Sequence, residues 1–181
     1  MRLFVAINLS SEIERYLENV SCGFNVARMN SVKSFHFTLI FLGEVADEKI
    51  SEIKEKLGQI KFKKFKMRLG PTGFFSDRSG HIRIIWVGLA APEILNQLQK
   101  DVEIKMGRFF SRTVPEAEKF TPHVTLARVK FANDKDLAAQ IKSAKIEKME
   151  MEIAHFSLMK SELTSTGPVY TELAVYGADS P

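Results

Sequence analysis

Two short segments of the sequence carry side chains that are suited to acid–base chemistry. They are His36-x-Thr38 and His123-x-Thr125, where x is Phe or Val, and about half the chain separates them. Alternate residues of a β-strand point to the same face, so the histidine and threonine of each segment share one face while the apolar residues face the core. We therefore expect two matching histidine–threonine pairs to project from two strands.

Two histidines and two threonines would suit the opening of a cyclic phosphate. Water attacks phosphorus in line with the departing ribose oxygen, so one group accepts a proton from water while another, on the opposite side, protonates the leaving oxygen. Histidine suits both roles because its unperturbed pKa of ~6.5 lets either form exist near neutral pH. The threonine hydroxyls can donate hydrogen bonds to the non-bridging oxygens, where negative charge builds. This chemistry needs no metal and no cofactor.

A single His-x-Thr segment indicates no more than a partly buried histidine in a strand, where threonine is common. Two copies in a chain with four histidines favour the catalytic interpretation. Neither His81 nor His155 has a threonine two places on, and we expect both to be structural, His81 at a turn and His155 inside a strand. A zinc hydrolase is a weaker alternative, because two histidines are too few ligands and neither belongs to a His-Glu-x-x-His pattern.

The overall composition is that of a globular protein of the cytoplasm. Hydrophobic residues make up 45% and charged residues 27% of the 181 residues, an ordinary balance. Cys22 is the single cysteine, which excludes an internal disulfide and a cysteine-based zinc site and fits a reducing cytoplasm. Apolar stretches are far shorter than the ~20 residues that cross a bilayer, so we expect no membrane partner. The net charge of +4 permits an anionic partner.

Apolar periodicity and capping signals predict alternating helices and strands. Helices are predicted to begin near Ser11, Asp47, Pro92 and Asp134. The predicted extended segments are 1–9, 35–42, 62–69, 82–89, 124–131, 146–158 and 169–176. The glycine-rich stretch 70–80 is predicted to be the connection between two of them.

The order of these elements repeats. Strand, helix, strand, strand follows the first helix, and the same order follows the third helix. We expect an α+β fold in a single two-lobed domain, 1–181, with two similar halves that each carry one His-x-Thr segment. Two antiparallel sheets would face each other across a central cleft, with pseudo-twofold symmetry and helices packed outside. A monomer is expected, because such a fold builds its own twofold site.

The segments Phe35–Val45 and Thr121–Arg128 resemble the paired motifs of the two-histidine (2H) phosphoesterase superfamily. Within it they are most similar to the RNA 2′,3′-cyclic phosphodiesterases, also called 2′-5′ RNA ligases. The opening Arg2–Ile7, the segment Ile85–Leu89 and the segment Gly167–Tyr170 also resemble that family, so the likeness covers nearly the whole chain. Members hydrolyse terminal 2′,3′-cyclic phosphates to 2′-phosphates, and some join RNA ends through a 2′-5′ bond.

The resemblance also implies roles for individual residues. By position, His36 would be the proton donor and His123 the proton acceptor, while Thr38 and Thr125 would hold the phosphate. Arg128 matches an arginine common after the second motif and would add positive charge for the phosphate or the RNA backbone. Strict alternation places Arg128 opposite His123, so it reaches the site only where the strand twists, bulges or ends.

The resemblance also implies the partners: RNA or oligonucleotide ends with a 2′,3′-cyclic phosphate, including tRNA fragments, and nucleotides. The remaining alternative is a nucleotide- or RNA-end-binding protein with little turnover. Both histidines and both threonines are present, which argues against it, since binding alone does not need an acid and a base.

Overall fold

The computed structural model describes residues 1–24, 28–31, 34–90, 92–109, 120–131, 134–165 and 167–179. The helices within these residues are α1 Ser11–Cys22, α2 Ile50–Gly58, α3 Glu93–Met106 and α4 Asp134–Ser143. The strands are β1 Arg2–Asn8, β2 Arg28–Ser31, β3 His36–Glu44, β4 Phe65–Ser76, β5 Ile82–Ala90, β6 His123–Phe131, β7 Glu150–Ile153, β8 His155–Thr164 and β9 Gly167–Gly177. The α+β class predicted from the sequence is confirmed.

The four predicted helices are present, with small shifts at their starts. Ser10, rather than Ser11, is the N-cap of α1, where its hydroxyl accepts a hydrogen bond from the Ile13 amide at 3.4 Å. Pro92 is the N-cap of α3. Asp47 begins a short 3₁₀ turn that leads into α2. Within the described part of the chain, no helix is both long and apolar enough to cross a membrane.

The strands differ more from the prediction. The predicted segment 146–158 is divided into β7 and β8, and the short β2 was not predicted. Strand β4 continues to Ser76, through glycines that were predicted to form a connection. Gly73 belongs in the strand because it faces Trp86 across the ladder, and a Cβ atom there would lie 2.2 Å from the indole ring.

The sheet order sets β3 and β6 side by side at the centre. All pairings are antiparallel, in the order β7-β4-β5-β6-β3-β1-β8-β9, with β2 as a further partner of β6. The hairpin β8–β9 from the end of the sequence lies on the β3 side, and the hairpin β4–β5 lies on the β6 side. Each half of the sheet therefore contains strands from both halves of the sequence.

One main core covers one face of this sheet. All four helices contribute to it through buried residues, which include Ile13, Leu17, Ile53, Leu57, Leu95, Leu98, Leu137 and Ile141. A separate small cluster joins Phe4, Ala6 and Met159 to the ring of Tyr170. Since β1 has buried residues on both faces, this small cluster marks the face that the helices do not cover.

Candidate active site

The four predicted histidine and threonine residues lie on adjacent strands. β3 and β6 pair at one position, through the residue that follows each histidine. Extending that register by one residue each way places His36 across from Thr125 and Thr38 across from His123. Opposite residues point to the same face of a sheet, so the four side chains form one group with the histidines on its diagonal. Diagonal neighbours of this kind are about 7–8 Å apart, a separation that leaves room for one phosphate between them.

The other face of both strands is the one predicted to enter the core. Phe37, Leu39, Val124 and Leu126 are at most 3% exposed. The histidines and threonines between them are partly exposed. The two-residue periodicity of the sequence therefore correctly predicted that the histidine–threonine pairs lie on the face opposite the core.

Arg128 reaches the same face because β6 contains a β-bulge. Thr125 and Ala127 pair with consecutive residues of β5, which leaves Leu126 as an extra residue. Leu126 and Ala127 are consequently both buried, and the alternation restarts with Arg128 exposed on the His123 face. Arg128 was expected to reach the histidine face only where the strand twists, bulges or ends, and β6 bulges just before Arg128.

Each histidine ring packs edge-on against an aromatic ring. The His36 and Tyr170 centroids are 4.8 Å apart at 79°, and Phe4 lies 5.0 Å from His36 on another side. The His123 and Phe75 centroids are 5.0 Å apart at 85°. Edge-to-face contacts of this kind are favourable and limit rotation of the imidazole. The two histidines are thus held in similar, pre-oriented environments.

The aromatic rings beside the histidines are site residues that the sequence analysis did not single out. Phe75 lies in the stretch that was predicted to be a connection, and Trp86, 6.1 Å from His123, was noted only within an extended segment that resembles the family. Tyr170 comes from β9, far along the chain from His36. No local sequence pattern predicts these contacts, because they depend on which strands become neighbours in the sheet.

The tautomer of His123 follows from its hydrogen bond. Nδ1 lies 2.7 Å from the carbonyl oxygen of Thr121, which can only accept, so in the neutral ring Nδ1 carries the hydrogen. Nε2 is then the basic nitrogen. The backbone of Ser34 likewise favours the protonated ring of His36. Nδ1 of His36 is buried and makes no well-aligned hydrogen bond to any described residue.

Burial lowers the pKa of both histidines. The pKa of His36 falls to about 4, because burial disfavours the cation; the Ser34 backbone opposes this and the charge of Arg128 adds to it. Burial also lowers the pKa of His123 from its ordinary 6.5, with the Thr121 carbonyl acting in the opposite direction. Both rings are therefore neutral at pH 7 in the free protein, and a bound anion would favour protonation of one of them.

The other two histidines lie away from this group. Nδ1 of His81 is 2.7 Å from Oδ2 of Asp134, after the turn between β4 and β5. His155 is exposed at the first residue of β8, rather than inside a strand. In the part of the chain that is described, no three His, Cys, Asp or Glu side chains are grouped to hold a metal ion.

Comparison with known proteins identifies a matching family model and relatives that align over nearly the whole chain. The family model described as "LigT like Phosphoesterase" matches twice, at residues 6–86 and 87–170. An RNA 2′,3′-cyclic phosphodiesterase of Archaeoglobus fulgidus is 32% identical over 97% of this chain and 99% of its own length. A protein with the same name from Thermotoga maritima is 33% identical over 96% of this chain and 93% of its own length.

Solved structures show the same fold. TT0787 of Thermus thermophilus superimposes with a TM-score of 0.77 and 26% identity, covering 98% of this chain and 97% of that one. Escherichia coli LigT complexed with 3′-AMP gives a TM-score of 0.75 and 26% identity, covering 99% and 98%. With a family model that matches both parts of the sequence and relatives that align over nearly its full length, the chain belongs to the LigT-like phosphoesterase family.

Proposed function

We propose that this protein is an RNA 2′,3′-cyclic phosphodiesterase that hydrolyses terminal 2′,3′-cyclic phosphates to 2′-phosphates without a metal. The observation that carries the proposal is the single group of His36, Thr38, His123 and Thr125 on one face of β3 and β6. The names of the Archaeoglobus and Thermotoga relatives support the substrate class.

In the proposed reaction the cyclic phosphate lies between the two histidines. His123 accepts a proton from water as the water oxygen bonds to phosphorus. The bond from phosphorus to the ribose 3′ oxygen breaks, and His36 protonates that oxygen, so the phosphate stays on the 2′ oxygen. The hydroxyls of Thr38 and Thr125 donate to the non-bridging oxygens, and Arg128 adds positive charge to the same side.

The lowered pKa values of the two histidines in the free protein support these roles of proton donor and proton acceptor. A histidine whose pKa is about 4 is a strong acid once it is protonated, and His36 gains that proton more readily when a phosphate anion lies beside it. His123 is neutral with Nε2 unprotonated, which suits a base. The assignment of donor and acceptor itself comes from the likeness to the family.

The direct test is incubation with each of the four nucleoside 2′,3′-cyclic phosphates in the presence of EDTA. We expect the nucleoside 2′-phosphate as product, identified by chromatography against 2′ and 3′ standards, at the same rate with and without chelator. Loss of activity in EDTA would indicate a metal enzyme. A 3′-phosphate product would show that the ribose 2′ oxygen, rather than the 3′ oxygen, is the leaving group. Tight binding without turnover would favour the alternative of an RNA-end-binding protein.

The pH dependence of kcat/KM is expected to be bell-shaped with its maximum on the acidic side. The reaction needs His36 protonated and His123 neutral, and the pKa of His36 is about 4 while that of His123 lies below 6.5. Activity should therefore be highest between the pKa values of the two histidines, on the acidic side of pH 6.5, and fall about tenfold per pH unit above both. A kcat/KM that is constant from about pH 5 to about pH 9 would contradict paired acid–base catalysis.

We further propose 2′-5′ ligation as a reverse activity, in which an RNA 5′-hydroxyl attacks in place of water. The same acid and base serve that reaction: His123 accepts the proton of the 5′-hydroxyl as its oxygen bonds to phosphorus, and His36 protonates the departing 3′ oxygen, which leaves a 2′-5′ bond. RNA ends such as those of tRNA fragments are the proposed natural substrates. A monomer in the cytoplasm is the proposed state of the protein, since both histidine strands come from one chain.

A further inference from the structure

A carboxylate lies on the histidine face of the sheet, on the side of His36. Oε2 of Glu172 accepts hydrogen bonds from the Asn8 side-chain amide at 2.8 Å and from the Ser157 hydroxyl at 2.7 Å. Ser157 is fully buried whereas Glu172 is exposed, so the contact is anchored in the protein at one end and open to solvent at the other. Within the described residues, Oε1 of Glu172 has no hydrogen-bond partner. The carboxylate is therefore held in place with one oxygen free to accept.

Two contacts place Glu172 next to His36. Asn8, which donates to Glu172, lies directly across from His36 in the pairing of β1 with β3. Tyr170 precedes Glu172 by two residues on β9 and so shares its face. The Tyr170 ring packs against the His36 ring, with 4.8 Å between their centroids. Both neighbours of the carboxylate are thus also neighbours of this histidine.

The terminal nucleoside occupies the same side of the site in the proposed reaction, because the ribose 3′ oxygen receives its proton from His36. A carboxylate has acceptor atoms only, so Glu172 needs a donor, and like charges exclude the phosphates as its partner. In an RNA chain the cyclic phosphate occupies the 2′ and 3′ oxygens of the terminal ribose, and the 5′ oxygen is esterified. The donors that remain in the terminal nucleoside are the N–H groups of its base.

We propose, on the basis of the function proposed above, that Glu172 is a specificity-determining residue that accepts a hydrogen bond from the exocyclic amino group of the terminal base. Cytosine, adenine and guanine each carry such a group, and uracil carries none. Uracil offers one ring N–H between two carbonyl oxygens, and both of these oxygens repel a carboxylate. The protein therefore selects against RNA ends whose terminal base is uracil.

The test compares two short RNAs that differ only in ending with cytidine or with uridine 2′,3′-cyclic phosphate. We expect kcat/KM for the cytidine end to be about 10- to 150-fold higher, the range for one hydrogen bond to a charged group. Glu172→Gln should bring the ratio of the two kcat/KM values close to one, by lowering the value for cytidine and raising that for uridine. An amide can accept from the amino group of cytosine and can also donate to the carbonyl oxygen of uracil.

Glutamine also separates this role from a structural one. It keeps the shape of Glu172 and an acceptor for Asn8 and Ser157, so a residue that only holds the strands together would leave the ratio unchanged. Glu162→Gln is the matched control, because Glu162 is exposed on the opposite face of β8 from Ser157 and lies 2.9 Å from the Lys160 amine. The control should keep the ratio of the unaltered protein.

Equal kcat/KM values for the two RNAs in the unaltered protein, or a ratio that Glu172→Gln does not change, would overturn the selection of the base and leave the phosphodiesterase in place. Absence of turnover with both RNAs would instead refute the proposed phosphodiesterase. In that case, calorimetric titration with cytidine and uridine 2′-phosphates compares the same bases by affinity. A preference for cytidine that Glu172→Gln removes would support the proposal, and the lack of such a preference would overturn it.

Discussion

His36→Ala and His123→Ala are each expected to lower kcat for cyclic phosphate hydrolysis by about 10²–10⁴-fold, the usual contribution of one general acid or base. Either change removes the group that transfers a proton on one side of the phosphorus. The remaining histidine cannot replace it, because the two rings lie on different strands. The rate is measured with a nucleoside 2′,3′-cyclic phosphate under steady-state conditions. The double variant should be little worse than either single variant, since the two residues act in one step.

His155→Ala is the control for these variants, because His155 is exposed at the start of β8 and lies outside the site. Its kcat should match that of the unaltered protein. Circular dichroism and a thermal melt would show that the His36 and His123 variants fold. Near-normal turnover by either of them would remove that residue from the proposed mechanism.

Thr38→Val and Thr125→Val are each expected to lower kcat by about 10²–10³-fold, the cost of removing one preorganised donor to a developing oxyanion. Valine keeps the shape of threonine and loses its hydroxyl, so the strands and the facing histidines should keep their places. The effect should appear more strongly in kcat than in KM, because the charge on the non-bridging oxygens grows in the transition state.

Thr171→Val provides the matched control for the threonine variants. Thr171 is exposed on β9, a strand residue of the same type outside the site. It should leave both kcat and KM unchanged. A similar kcat for Thr38→Val and the control would show that the Thr38 hydroxyl does not stabilise the transition state, and the same comparison applies to Thr125.

The pairing of β3 with β6 explains why two distant sequence segments form one site. The residues after the histidines meet at the single paired position, so each histidine faces the other segment's threonine. Neither half of the sequence builds this arrangement alone, because the hairpins that flank the two strands are drawn from opposite halves of the chain. The two histidines and the two threonines are therefore positioned by the same set of strand pairings that holds the sheet together.

The sequence by itself determined which histidine and threonine side chains share a face of the sheet. The period of two around each histidine required His36 with Thr38, and His123 with Thr125, to share a face while their apolar neighbours became buried. Helix caps and apolar stripes located the helices to within a few residues. These features depend on short-range geometry, so they can be read along the chain before any tertiary contact is known.

Only the tertiary structure decided the surroundings of that centre. The bulges at Leu39 and Leu126 restart the alternation and bring Phe41 and Arg128 to the histidine face. The ring of Tyr170 reaches His36 from a strand near the other end of the chain. Such features depend on the register between strands that are far apart in sequence, and on the space their side chains leave, which local periodicity does not specify.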